Sequence, residues 1–297
     1  MTGTPRRSIA ARIGVTLLNL IAPGLGLLRV AGLRAAAGYL AAPTLLLLAL
    51  AGFGWIAPTP GFAAFATVVL ATMAALIALM IVAMVRTWRA SRQRAPVKGW
   101  SRWYGIVAAS IVAGVAANAA AEACHALYKP YYIPSEAMLP TLADKETFLT
   151  DMRGGRHPAR GDIVLFDMPE LHTVYIKRVV ALPGDRVALV GGVPVINGRK
   201  ARQVPVGGRT YRETLPGEAG SHAVLDLGPS DLDDMAERVV PPGQLFVLGD
   251  NRDRSADSRV PRSEFGTGWV PVRDVVGVPL FTYWNTDLSR IGRKLTP

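Results

Sequence analysis

From residue 36 to residue 85 the chain carries no charged side chain, and the run is broken only by Pro58-Thr59-Pro60-Gly61. The two apolar segments on either side, 36–57 and 62–85, are each long enough for a helix to cross a hydrocarbon core about 30 Å thick, which takes about 20 residues. In lipid every backbone N–H and C=O must be satisfied inside the segment, so each is predicted as a transmembrane helix. A third apolar segment, about 103–126, is rich in Ala and is entered through Trp100, Trp103 and Tyr104. Aromatic residues of this kind settle at the membrane–water interface, and this segment is predicted as a third span.

Upstream, residues 13–30 are apolar but interrupted by Ala22-Pro23-Gly24-Leu25-Gly26, with Arg6, Arg7 and Arg12 before them and Arg29 and Arg34 after. This has the outline of a signal peptide, yet no convincing small-residue cleavage site follows. Positive charge on both sides of a short, broken segment suggests a re-entrant or interfacial hairpin.

The formal net charge is +11, and its distribution decides what it means. Residues 1–129 carry 12 Lys or Arg against one acid, Glu122, whereas residues 130–297 carry 21 of each sign. The excess therefore belongs to the membrane half. Arg86, Arg89, Arg92, Arg94, Lys98 and Arg102 concentrate it in loop 86–102, which is expected on the cytoplasmic side and in contact with anionic membrane lipids. Nucleic-acid binding is not expected from such a placement. Three crossings from a cytoplasmic Arg34 put everything after residue 126 outside. The single cysteine, Cys124, has no partner for an intrachain disulfide.

From residue 130 to 297 the pattern becomes short apolar strands divided by Gly, Pro and Asn: 162–167, 174–181, 186–190, 193–196, 244–248 and 275–280. Asn197-Gly198 is a strong hairpin signal. A helical period is suggested only around 232–237. A mainly-β, antiparallel domain is expected, with residues 199–240 as a variable excursion.

Three stretches carry chemistry. In residues 131–142, Tyr-Tyr-Ile-Pro-Ser-Glu-Ala-Met-Leu-Pro-Thr-Leu, two prolines argue against regular helix and favour an extended strand. Alternation would then aim Ser135 and Ala137 at one face. In residues 175–185, Lys177 interrupts an apolar strand pattern. Such a lysine either snorkels to water or, if held in apolar surroundings, has its amine pKa lowered and becomes a general base. Residues 249–259, Gly-Asp-Asn-Arg-Asp-Arg-Ser-Ala-Asp-Ser-Arg, are either a solvated turn or a network of paired charges. A calcium loop would need Gly and Glu where Ser255 and Pro261 stand. His125, His157, His172 and His222 have no ligand spacing and read as surface or interface histidines. No Gly-x-Ser-x-Gly elbow is present.

Together, and after membrane spans, these three stretches and Arg160-Gly-Asp-Ile-Val resemble the bacterial signal peptidase I family of membrane serine proteases. The resemblance covers roughly residues 130–280. It implies a signal-peptidase-like antiparallel β domain on the periplasmic side of the bacterial inner membrane, removing signal peptides from exported preproteins by a Ser/Lys dyad, without a cofactor. Lys177 would be the general base, and Ser135 with the backbone N–H of Ala137 would form the oxyanion hole. Ser255 would orient Lys177, and Asp257 and Arg259 would brace the loop. Tyr131, Ile133, Met138, Leu142, Tyr175 and Ile176 would wall a pocket for small residues such as alanine before the cut. Partners would be signal peptides, membrane lipids and, next to them, the secretion translocase.

The family's nucleophilic serine is replaced here by Ala137, which has no atom able to attack a carbonyl. The chain as written is therefore expected to be inactive, as a nucleophile-to-alanine variant would be. The alternative is a natural non-enzyme that binds signal peptides or serves assembly in an export or pilus-type system. Removing residues 1–100 would separate the last two, since the assembly role rests on the membrane half.

Overall fold

The computed structural model describes residues 7–92, 99–153, 158–169 and 172–295. Arg6, Arg94, Lys98 and His157, singled out above, lie outside them. The chain divides into two compact units at Leu127 and Tyr128.

The first unit is helical: α1 (Ile9–Leu17), α2 (Leu25–Ala31), α3 (Leu33–Ile56), α4 (Phe62–Ala90) and α5 (Trp103–His125). Ser8 caps α1 by accepting from Ala11 N–H. Between α1 and α2 the backbone reverses at Gly24, whose φ of 95° suits a residue without Cβ. Asn19 is fully buried there, accepting from Gly24 N–H at 2.9 Å and donating to Thr87 Oγ1 on α4 at 3.0 Å. Short α2 is enclosed, with Leu25, Leu27, Leu28 and Ala36 forming one buried cluster. The helices α3, α4 and α5 are long and apolar enough to cross a membrane. They leave Leu45, Phe53, Leu70, Ile77 and Ile111 exposed, which is tolerable on a surface that meets acyl chains rather than water.

Among the described residues the second unit holds fourteen strands: β1 (Tyr128–Tyr132), β2 (Thr147–Asp151), β3 (Ile163–Met168), β4 (Thr173–Ala181), β5 (Arg186–Val190), β6 (Val193–Ile196), β7 (Arg199–Lys200), β8 (Arg202–Gly207), β9 (Thr210–Thr214), β10 (His222–Leu225), β11 (Met235–Val239), β12 (Gln244–Leu248), β13 (Val270–Pro271) and β14 (Val275–Trp284). A seven-stranded sheet has the order β1-β2-β14-β3-β4-β12-β13, beside sheets β10-β9-β8 and β11-β5-β6-β7. Every pairing between these strands is antiparallel. This is the mainly-β architecture expected from the sequence.

Why β3 reads as an unbroken apolar run follows from where its two faces go. Val164, Phe166 and Met168 enter one core with Val179 and Val247, while Ile163 and Leu165 enter another with Ile133, Met138 and Phe148. A strand covered on both sides needs no polar alternation. β12 behaves alike: Leu245 and Val247 join the first of these cores, Phe246 and Leu248 a third with Val180 and Leu189. At Asn197-Gly198 both residues have positive φ, 50° and 75°, the geometry of the tight hairpin between β6 and β7.

Two expectations fail in the excursion. Residues 232–237 are not helical: Met235–Val239 is a strand paired with β5, and that pairing outweighs the weak helical period. His222 is not a surface residue but is buried at 7% exposure on β10.

Candidate active site

Residues 135–142 do not continue β1 as an extended strand. They bend and turn, closed by Leu139 N–H to Glu136 O at 3.1 Å and Leu142 N–H to Met138 O at 2.8 Å. Pro134 and Pro140 restrict themselves and the residues before them, which leaves the residues between free to turn. The turn sends Met138 and Leu142, both with 0% exposure, into the core with Ile133, Phe148 and Leu165. Neither is among the residues that line the cleft, contrary to the expectation from the sequence.

That cleft, of about 390 Å³, is lined by Tyr131, Ile133, Ser135, Ala137, Tyr175, Ile176 and Lys177 among the expected residues. Tyr132, Pro134, Phe148, Leu165, Thr173, Val174, Arg254 and Ala256 complete it. The sequence carries no signal for Phe148 and Leu165 as cleft residues, because nothing in their spacing links them to position 137. Lys177 approaches from β4, in register with Val164 of β3.

Lys177 is held at 4% exposure with Nζ 5.5 Å from the centre of the Tyr175 ring. Burial lowers its amine pKa to about 8, against the opposing pull of Asp257 and Asp250, while Arg259 adds to the lowering. Both carboxylates are already engaged by arginines. Asp250 receives Arg178 Nε at 2.7 Å and Nη2 at 2.6 Å; Asp257 receives Arg259 Nε at 2.8 Å and Nη2 at 2.9 Å. These forked pairs are the strong form of charge-assisted hydrogen bond. Among the described residues the lysine is left without a carboxylate of its own.

Loop 249–259 is a bracing network rather than a solvated turn. Only Asp257 and Arg259 pair within it; Arg252 reaches Glu213 of β9, Arg254 reaches Glu136 and Asp250 reaches Arg178 of β4. Asn251 joins the loop to the turn, donating from its backbone N–H to Ala137 O at 3.1 Å and from Nδ2 to Glu136 O at 3.2 Å. Gly249 is required where the two segments touch, because a Cβ there would collide with Ser255 Oγ and lie 2.5 Å from Ala137 O. Ser255 Oγ is buried and has no hydrogen-bond partner among the described residues, so no hydrogen bond joins it to Lys177.

A sheltered amine with a lowered pKa, facing small side chains in an apolar cleft, is an arrangement that can take a proton from a reacting group. The sequence model for "Signal peptidase, peptidase S26" matches residues 100–284. The chain belongs to the peptidase S26 signal peptidase family. Its similarity extends to the signal peptidase I of Rickettsia typhi, 36% identical over 168 residues that make up 48% of this chain and 61% of that one. The signal peptidase I of Rickettsia prowazekii is 37% identical over 167 residues, again 48% of this chain and 61% of the relative. The chain thus spans about 61% of the length of these relatives, less than two thirds. It spans 77% of the Bacillus licheniformis signal peptidase I, at 34% identity over 160 residues and 53% of this chain. Among solved structures, a signal peptidase I from Enterococcus faecalis is matched at 28% identity, covering 42% of this chain and 98% of that one with a TM-score of 0.27. In this S26 chain the cleft holds Ala137 together with Ser135 and Lys177.

Proposed function

We propose that this protein is a multi-pass inner-membrane member of the S26 family whose extracytoplasmic β unit binds the signal peptides of exported preproteins and, with Ala137, does not cut them. The observation that carries this reading is Lys177: buried, lowered to a pKa of about 8, and lining one cleft with Ser135 and Ala137. A buried amine costs the fold stability, so its presence in the cleft supports a chemical use for it there.

In the active form of this site a serine at 137 would give its proton to neutral Lys177 and attack the scissile carbonyl. Ser135 Oγ and the backbone N–H of residue 137 would stabilise the oxyanion. The cleft walls Tyr131, Ile133, Tyr175 and Ile176 leave space for small side chains before the cut. As written, the first bond cannot form. Loss of a nucleophile lowers turnover by roughly 10⁶-fold in a comparable serine protease.

The test is cleavage of a radiolabelled preprotein by the detergent-solubilised chain and by its Ala137→Ser variant. Cleavage by the variant alone, rising with pH as Lys177 loses its proton, is expected. A folded variant that neither binds nor cuts would end the proposal. The topology is checked with thiols introduced at Arg92 and Arg238 in a Cys124→Ala background: labelling of position 238 from the cytoplasm would overturn the assignment of the β unit to the far side.

A further inference from the structure

Arg254 and Ala256 line the cleft from loop 249–259, while Ser255 between them is buried. The base of this loop is fixed, because Asn251 donates to Ala137 O and Glu136 O of the turn. Arg254 Nη1 donates to Glu136 Oε2 at 2.5 Å, and Glu136 stands between two cleft residues, Ser135 and Ala137. The guanidinium therefore lies within one side chain's reach of position 137.

Its pairing differs from that of the neighbouring arginines. Arg178 and Arg259 each give two nitrogens to a buried aspartate, whereas Arg254 gives one nitrogen to a carboxylate that is itself 48% exposed. Its Nε and Nη2 have no partner among the described residues. A guanidinium offers five donors in a planar fork that matches a carboxylate, so most of this one's capacity is open. The side chain is 62% exposed, and a pair of this kind is held weakly.

The rest of the wall sharpens the contrast. None of the residues lining the cleft is Asp or Glu, and the other cation, Lys177, is buried. Tyr131, Ile133, Val174 and Ile176 offer apolar surface that suits neutral side chains. A negatively charged ligand side chain has one accessible partner here, and it is Arg254.

We propose that Arg254 determines specificity in this cleft, selecting ligands with a carboxylate side chain within about three residues after the bond held at position 137, a span of about 10 Å in extended chain. This rests on the reading of the cleft as a signal-peptide site and deepens it: the apolar walls take the residues before that bond, and Arg254 reads charge in the exported segment that follows. Glu136 orients one edge of the guanidinium and leaves the other edge to the ligand.

The experiment uses the full chain in nonionic detergent and peptides that continue beyond Ala-Leu-Ala, with Glu at the first, second or third following position and Gln there in the matched control. Calorimetric binding at neutral pH and low salt is expected to favour Glu at one or more of these positions by about threefold to fivefold, the worth of a partly exposed ion pair. The preference should vanish in 1 M salt, where the Debye length is about 3 Å. Arg254→Gln is expected to abolish it while the Gln peptide still binds, which also reports that the cleft is folded. Arg254→Glu is expected to favour Lys over Gln at the same position. Equal affinity for Glu and Gln at all three positions in the parent chain, or a preference that survives in Arg254→Gln, would overturn the role of Arg254 and leave peptide binding standing. Binding of no peptide by the parent would overturn peptide binding itself and the role of Arg254 with it.

Discussion

The backbone N–H of Asn251 donates to the carbonyl oxygen of Ala137 at 3.1 Å, so the polar loop and the Pro-flanked turn are held at a fixed separation beside the cleft. The next residue back, Asp250, extends the hold by accepting from Thr141 Oγ1 at 2.5 Å and from Arg178. Arg178 is the neighbour of Lys177 on β4, on the opposite face, and also donates to Gly161 O at 2.6 Å. One aspartate thus ties together the turn, the loop and the strand that delivers the lysine. The positions of Lys177 and Ala137 are consequences of that buried pair as much as of the surrounding apolar core.

Asp250→Asn should therefore be among the most damaging substitutions away from the cleft wall. Removing one member of a buried pair leaves an uncompensated charge, here Arg178 at 3% exposure, and the expected loss is about 3–5 kcal/mol. Urea unfolding of the solubilised chain, followed by Trp fluorescence, measures it. The double variant Asp250→Leu with Arg178→Met should recover most of the loss, because no charge is then stranded. A single variant within about 1 kcal/mol of the parent would mean that the pair is no stronger than a surface ion pair.

Lys177 carries a stability signature independent of any ligand. Its amine falls from an ordinary 10.5 to about 8 in the folded chain, so the unfolded chain binds more protons between those values and stability rises with pH across that window. At about 1.36 kcal/mol per pH unit, the folded chain below pH 8 is destabilised by roughly 3 kcal/mol relative to high pH. Lys177→Met, which never titrates, should be the more stable protein at neutral pH, with its advantage shrinking as pH climbs towards 10.5. Melting the two proteins side by side across that range decides it; a constant gap would mean that the amine is not desolvated.

Much of this site is legible in the sequence because its chemistry is local. Lys177 stands out as a cation in an apolar strand, and Ala137 as an alanine inside a serine-protease motif. What alternation cannot reveal is that residues 135–142 turn, since a turn closed by Glu136 O and Met138 O leaves the same prolines in place as a strand would. Nor can it show that Met138 and Leu142 point into the core, because an apolar residue beside a cleft and one beneath it look alike in sequence. The loop's arginines raise a parallel difficulty. Their abundance suggests pairing, but two of their three carboxylate partners, Glu136 and Glu213, lie far away along the chain, as does Arg178, the partner of Asp250. The excursion at 199–240 is the least legible part, since its strands are short, exposed on one side and rich in Gly and charge.

His222, expected at the surface from its sequence context, makes that excursion sensitive to pH. Its ring lies between Glu218, 2.8 Å from Nδ1, and Glu213, 3.1 Å from Nε2. Burial and nearby Arg178 push the imidazole pKa down, but hydrogen bonds to Glu213 and Glu218, with the field of Asp250, outweigh them and raise it above 6.5. Arg252, bound to the same Glu213, belongs to the active-site loop, and Leu225 at the end of β10 donates to Asp250 O at 2.8 Å. A raised histidine contributes stability that is fully present below its unfolded value and disappears as pH rises through its folded value. His222→Gln should therefore weaken the fold most below pH 6.5, progressively less as pH rises from there to the folded value, and by a constant, smallest amount above it. The difference in unfolding free energy between parent and variant, taken below pH 6.5 and again well above it, tests the sign. A difference that grows with pH would mean that the imidazole is held neutral between two carboxylates, which would require one of them to carry the proton instead.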